Sequence, residues 1–196
     1  MNPLSRSLRL LLLVLLISSA AVAAPLIRIH TDLGVIEAEL HSDRAPATVA
    51  NFLKYVDAGR YTGGVFHRTV KLDPDNQPNN TVKIEVIQGG VNPKLSDKDW
   101  PAITLERTRD TGLNHLDGTL SMARAGPDTA TSDFFICLGA QPELDFGGKR
   151  NPDGQGFAAF GRVTKGMEIV KKIQTAPADG QKLTPPVRIL KIERLP

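Results

Sequence analysis

The chain has 196 residues, 41% of them hydrophobic and 23% charged, a balance that fits one globular domain and excludes disordered and collagen-like classes. Lys and Arg number 24 against 21 Asp and Glu; two of the basic residues, Arg6 and Arg9, lie in the leading segment, so the rest of the chain carries 22 basic against 21 acidic. A near-neutral chain without a clustered basic face excludes a nucleic-acid binder, and a single cysteine, Cys137, excludes an internal disulfide.

In chain order, Met1 to Ala23 reads as a cleaved export signal. Arg6 and Arg9 form a basic start, Leu10 to Ile17 is an unbroken apolar run, and Ala21-Val22-Ala23 offers small residues for cleavage. The run is well short of the roughly 20 apolar residues that span a bilayer, so no stable membrane insertion is expected after cleavage. Residues 24–196 are then expected to form one domain.

Leu26 to Thr31 and Val35 to Leu40 alternate apolar with polar residues around Asp32-Leu33-Gly34, which predicts a β-hairpin. Ala45-Pro46 opens a helix in which Val49, Phe52, Leu53 and Val56 repeat at helical spacing until Gly59. Further strands are predicted at Val65 to Val70, Val82 to Gln88, Gly118 to Met122, Phe134 to Leu138 and Phe157 to Val163. Met167 to Ile173 reads as a second helix and Val187 to Leu195 as a last strand. Lys71 to Thr81 and Asn92 to Pro101 read as long surface loops. Eight strands and two helices predict a mainly β domain, an antiparallel closed sheet capped by helices.

Familiar catalytic layouts are missing. His30, His41, His67 and His115 fall in four separate segments, none at metal-ligand spacing. There is no Gly-x-Ser-x-Gly elbow, and neither Ser121 nor Ser132 has an obvious base beside it in sequence. Cys137, within Phe134-Phe135-Ile136-Cys137-Leu138, reads as a small core hydrophobe. Four blocks remain: Phe66-His67-Arg68, Ile87-Gln88-Gly89-Gly90, Ser121-Met122-Ala123-Arg124-Ala125-Gly126-Pro127 and Ser132-Asp133-Phe134-Phe135-Ile136.

In this order the blocks resemble the cyclophilin family of peptidyl-prolyl cis-trans isomerases, in particular its exported bacterial members. The likeness runs from the opening hairpin through Ala45-Pro46 to Phe160-Gly161-Arg162-Val163. It implies a closed eight-stranded antiparallel β-barrel capped by two α-helices, with an outer groove for a proline-containing peptide. By the same resemblance Arg68 is the catalytic arginine and Gln88 orients it and contacts substrate. Phe135, Leu144 and Val86 take pocket positions, Ala123 and Arg124 the segment that pairs with the peptide backbone, and His67 and Phe157 positions flanking the groove. No cofactor or metal is implied. The expected partners are proline-bearing segments of folding proteins, the expected place is the periplasm, and a monomer suffices.

Two features depart from the family. Arg68 and Gln88 are 20 positions apart, 12 more than the family's usual eight, which predicts an enlarged loop beside the groove. Glu85 and Val86 stand where phenylalanine and methionine are usual, Asp133 where glutamine is, and Glu143 where an aromatic is. These carboxylates predict an acidic groove that prefers basic residues near the proline. Glu85 and Val86 at the pocket also leave open an alternative in which the same barrel is a non-catalytic proline-peptide-binding or chaperone module.

Overall fold

The computed structural model describes residues 24–196; the export signal read at Met1–Ala23 lies outside the described residues. β1 (Leu26–Thr31) and β2 (Gly34–Leu40) form the opening hairpin, with Thr31 opposite Gly34. Period-two alternation sends Ile27, Ile29, Ile36, Ala38 and Leu40 inward, all fully buried. α1 (Pro46–Asp57) comes next, with proline in its first turn. Its N-cap residue, Ala45, has no side chain to close the helix. The Glu106 carboxylate does so from a distance, accepting the N–H of Ala47 and Thr48 and the Thr48 hydroxyl. This satisfies open donors and places negative charge at the positive end of the helix.

The remaining strands are β3 (Gly64–Val70), β4 (Val86–Gly90), β5 (Thr119–Met122), β6 (Phe134–Cys137), β7 (Ala158–Lys165), β8 (Ala178–Asp179) and β9 (Lys182–Leu195). Antiparallel pairs run β1-β2-β7-β5-β6-β4-β3-β9, and β9 pairs back onto β1, so eight strands close a barrel without a free edge. β8 only hairpins onto the start of β9. The two predicted helices are α1 and α3 (Met167–Gln174), whose Ile169, Val170 and Ile173 are buried. A third helix, α2 (Thr108–Thr111), is a single turn, too short to leave a periodic signal in the sequence.

Inside the barrel, Phe52 from α1 lies 5.1–5.4 Å, centroid to centroid, from the rings of Tyr61, Phe134 and Phe160. A second, smaller apolar cluster forms apart from this core, from Val70, Ile84, Val86, Phe135, Cys137 and Leu144. The strand expected from Val82 begins only at Val86. The N–H and C=O of Ile84 are taken by the side-chain amide of Gln77 instead of a neighbouring strand.

Candidate active site

The second cluster floors a groove, and a break in alternation builds it. In regular β-structure Phe66 and Arg68 would share a face. A bulge between them inserts one residue, so Phe66 enters the core while Arg68 turns to the other side with Val70. Cross-strand register then aligns one row: Arg68 opposite Gln88, Gln88 opposite Phe135, and Phe135 opposite Ser121. Alternation along β4 puts Val86 and Gln88 on this face, with Ile87 in the core.

The row is wired by hydrogen bonds. Arg68 Nη1–H donates to Gln88 Oε1 at 3.0 Å, and its Nε–H and Nη2–H donate to Gln181 Oε1 at 2.9 and 2.7 Å. Gln88 Nε2 donates to Asp133 Oδ2 at 3.1 Å, which also lies 3.0 Å from His67 Nε2. Gln181 Nε2 donates to the Asn76 carbonyl, tying the turn before β9 to the enlarged loop. Asp133 can lie against β4 because position 90 is glycine: a Cβ there would collide with its carboxylate. Burial lowers the pKa of the Arg68 guanidinium from its usual value, yet an arginine stays protonated at neutral pH.

A cavity of about 350 Å³ opens over this row. Arg68, Gln88, Val86 and Phe135 line it from the strands, and Ala123, Arg124, Leu144 and Phe157 from the surrounding segments. Phe135 meets Phe157 edge to face at 5.3 Å and stacks parallel to His115 at 5.9 Å. Phe157 N–H bonds to the Leu144 carbonyl, fixing two walls to each other. Of the residues expected at the site, only His67 does not line the cavity; it holds Asp133 from behind. Arg124 lines it with a side chain only 1% exposed, which stacks on Phe157 and pairs with Asp153 through two hydrogen bonds. A larger depression of about 700 Å³ runs along α1 beside Trp100, and none of the site residues borders it.

The structure corrects the acidic groove expected from sequence. Glu85 and Val86 are adjacent on an extended segment and face opposite ways. Val86 and Ile84 line the cavity, while Glu85 turns away and accepts a hydrogen bond from Gln174 in α3. Glu143 accepts the Lys149 N–H and shapes the loop. Asp133 borders an adjoining cavity on the other side of Gln88. In their place Arg150, Asn80 and Asn151 complete the wall. Arg150 and Gln181 escaped the reading from sequence. Arg150 had one available signal, its position between Leu144 and Phe157, whereas Gln181 had none.

Ser121, His115 and Asp145 form a buried chain: His115 Nδ1 lies 2.6 Å from Asp145 Oδ1 and Nε2 2.9 Å from Ser121 Oγ. Ser121 is 0% and His115 1% exposed, so the serine has no route to a substrate, and the chain instead backs Phe135. Burial likewise raises the pKa of the Cys137 thiol, which leaves it an inert hydrophobe. Among the described residues no group of three or more His, Cys, Asp and Glu gathers as a metal site.

Residues 26–194 match the family described as "Cyclophilin type peptidyl-prolyl cis-trans isomerase/CLD". A peptidyl-prolyl cis-trans isomerase of Acinetobacter baylyi is 36% identical over 164 residues, covering 83% of this chain and 79% of that one. Peptidyl-prolyl cis-trans isomerase B of Escherichia coli is 33% identical over 150 residues, 76% of this chain and 84% of that one. A crystal structure of a Cryptosporidium parvum isomerase of the same type superposes with a TM-score of 0.70 at 25% identity, covering 88% and 98%. Its structure in the presence of the dipeptide Ala-Pro gives 0.69 at 26%, covering 87% and 99%.

Proposed function

The chain belongs to the cyclophilin-type peptidyl-prolyl cis-trans isomerases and accelerates rotation about X-Pro bonds; from that premise we propose that Arg68 carries the reaction in the groove over Gln88 and Phe135. Rotation of a peptide bond costs about 18–20 kcal/mol because the nitrogen lone pair is delocalised into the carbonyl. In the twisted transition state the lone pair returns to nitrogen, which becomes a hydrogen-bond acceptor. A fixed cationic donor then binds the transition state more tightly than either planar form, which is the condition for catalysis.

The observation that carries this reading is the donor count on Arg68. Of its five N–H groups, three are committed to Gln88 and Gln181. One hydrogen on Nη1 and one on Nη2 are left for substrate, on a guanidinium held by neutral acceptors from two directions. Phe135, Leu144, Phe157 and Val86 receive the proline ring and exclude the water that stabilises the planar, charge-separated amide. The structure of a relative determined in the presence of the dipeptide Ala-Pro supports a proline-containing peptide as the substrate class. The binding-only alternative rested on Glu85 and Val86 in the pocket; Glu85 faces α3, while Val86 lines the cavity and keeps its wall apolar.

The setting belongs to the same proposal: a monomeric isomerase that acts on proline-bearing segments of proteins folding after export, in a periplasm. The order of basic, apolar and small residues in positions 1–23 supports it. Among the described residues no helix is long and apolar enough to cross a membrane. Recovery of the protein from a periplasmic extract with its N-terminus at Ala24 checks the setting, and an intact leader in that fraction overturns it.

Arg68→Ala checks the chemistry. A charge-assisted hydrogen bond is worth about 1.5–3 kcal/mol, so kcat/KM for X-Pro isomerisation is expected to fall about tenfold to a hundredfold in a folded variant. Acceleration that survives the substitution unchanged removes Arg68 from the mechanism.

A further inference from the structure

Charge in the groove is opposite in sign to the acidic groove expected from sequence. Three arginines line the cavity, and no Asp or Glu does. Arg124 is neutralised by Asp153. The other two bond only to neutral acceptors: Arg68 to the amide oxygens of Gln88 and Gln181, Arg150 to the Gln77 amide oxygen at 3.1 Å and the Val82 carbonyl at 2.6 Å. Both bonds from Arg150 leave Nη1, so its Nε–H and Nη2 hydrogens have no acceptor among the described residues. Both cations line the same cavity, and burial and, after it, the charge of Arg68 lower the Arg150 pKa.

Arg150 is also a built feature. Gln77, fully buried in the enlarged loop, accepts from Arg150 with the same oxygen that receives the Ile84 N–H. The loop that lengthens the Arg68 to Gln88 connection therefore holds a second guanidinium at the cavity wall. A carboxylate entering there meets two unneutralised cations and free planar donors. On the other side of Gln88 the polarity reverses, because Asp99 and Asp133 border the adjoining cavity.

We propose that this groove selects X-Pro segments that carry an Asp or Glu beside the proline, and that Arg150 confers the selection by receiving that carboxylate. The inference rests on the isomerase reading and adds a substrate class to it.

The test compares kcat/KM on short peptides with Glu, Gln or Lys placed directly before or directly after the proline, for the wild type, Arg150→Gln and Arg150→Lys, each checked for folding. At one of the two positions the wild type is expected to favour Glu over Gln by about three- to tenfold, with Lys below Gln, as for a partly exposed charge pair. Added salt reduces the preference, Arg150→Gln brings the Glu to Gln ratio to about one, and Arg150→Lys keeps part of it. A wild-type ratio near one at both positions overturns the proposal, as does a preference that persists in Arg150→Gln. Should that variant not fold, the wild-type ratio and its salt dependence decide. Wild-type turnover of the Gln peptides reports separately on the isomerase reading. Were it absent, the same peptides titrated against the wild type by NMR would decide, with equal affinity for Glu and Gln overturning the selection.

Discussion

Gln181 supplies two of the three hydrogen bonds that hold Arg68, from a turn 113 positions away in the chain. It acts through Arg68 and so is a positioning residue. Gln181→Ala frees the guanidinium to swing, and because Gln181 acts only through the orientation of Arg68, which keeps its bond to Gln88, the expected cost is about three- to tenfold in kcat. KM stays near its wild-type value, because the apolar walls that seat the proline are untouched. Steady-state kinetics separate the two parameters, and an unchanged kcat removes Gln181 from this role. Residue types such as Arg68, Gln88 and Phe135 were legible because they sit in recognisable blocks. The direction of Glu85 was misread because adjacent residues in an extended segment cannot both face one pocket.

At the scale of elements, two loops turn a barrel wall into a groove. Asn76 and Gln77 pin the enlarged loop by side-chain bonds to Lys71, Thr69, Gly180 and Ile84, a job that strand pairing does elsewhere. The segment from Asp145 to Phe157 is clamped by Arg124 on Asp153 and Gly156. Hydrogen bonds from Arg124, then the Gln155 N–H, lower the Asp153 carboxyl from 3.8 to about 2. A lowered acid stabilises the folded clamp wherever it is ionised, so the contribution is complete above the ordinary carboxylate range and is lost as pH falls through it toward 2. Amide exchange across residues 145–157 is expected to rise over that window relative to β5 and β6. Asp153→Asn is expected to show the raised exchange already at neutral pH. Exchange in that segment that is indifferent to both changes rules the clamp out. Lys71 to Thr81 was predicted as a surface loop; that Gln77 within it is wholly buried could not be read from composition, since most of its partners are backbone groups fixed by the fold.

For the molecule as a whole, the barrel closes because β1 pairs with β2 on one edge and with β9 on the other. Its interior and the groove are separate apolar clusters on opposite faces of the same strands. Truncating the interior is therefore expected to lower stability without redirecting substrate choice. Phe52→Ala removes a fully buried ring and costs about 3–5 kcal/mol, read as a lower urea midpoint at unchanged slope. The relative rates on Glu, Gln and Lys peptides remain as in the wild type; a changed ranking disproves the separation.

By itself the sequence determined the eight barrel strands and the two longer helices, because alternation, helical repeats and turn residues are local properties of neighbouring positions, while the family resemblance of its motif blocks pointed to Arg68, Gln88 and Phe135 as the proposed site. Tertiary structure alone decided which side chains meet. A bulge turned Arg68 outward, cross-strand register set it beside Gln88 and Phe135, and long-range packing brought Gln181 onto Arg68 and Arg150 to the cavity wall. The sign of the groove's charge was decided there too, because an electrostatic field depends on distances in space and on which charges are already paired.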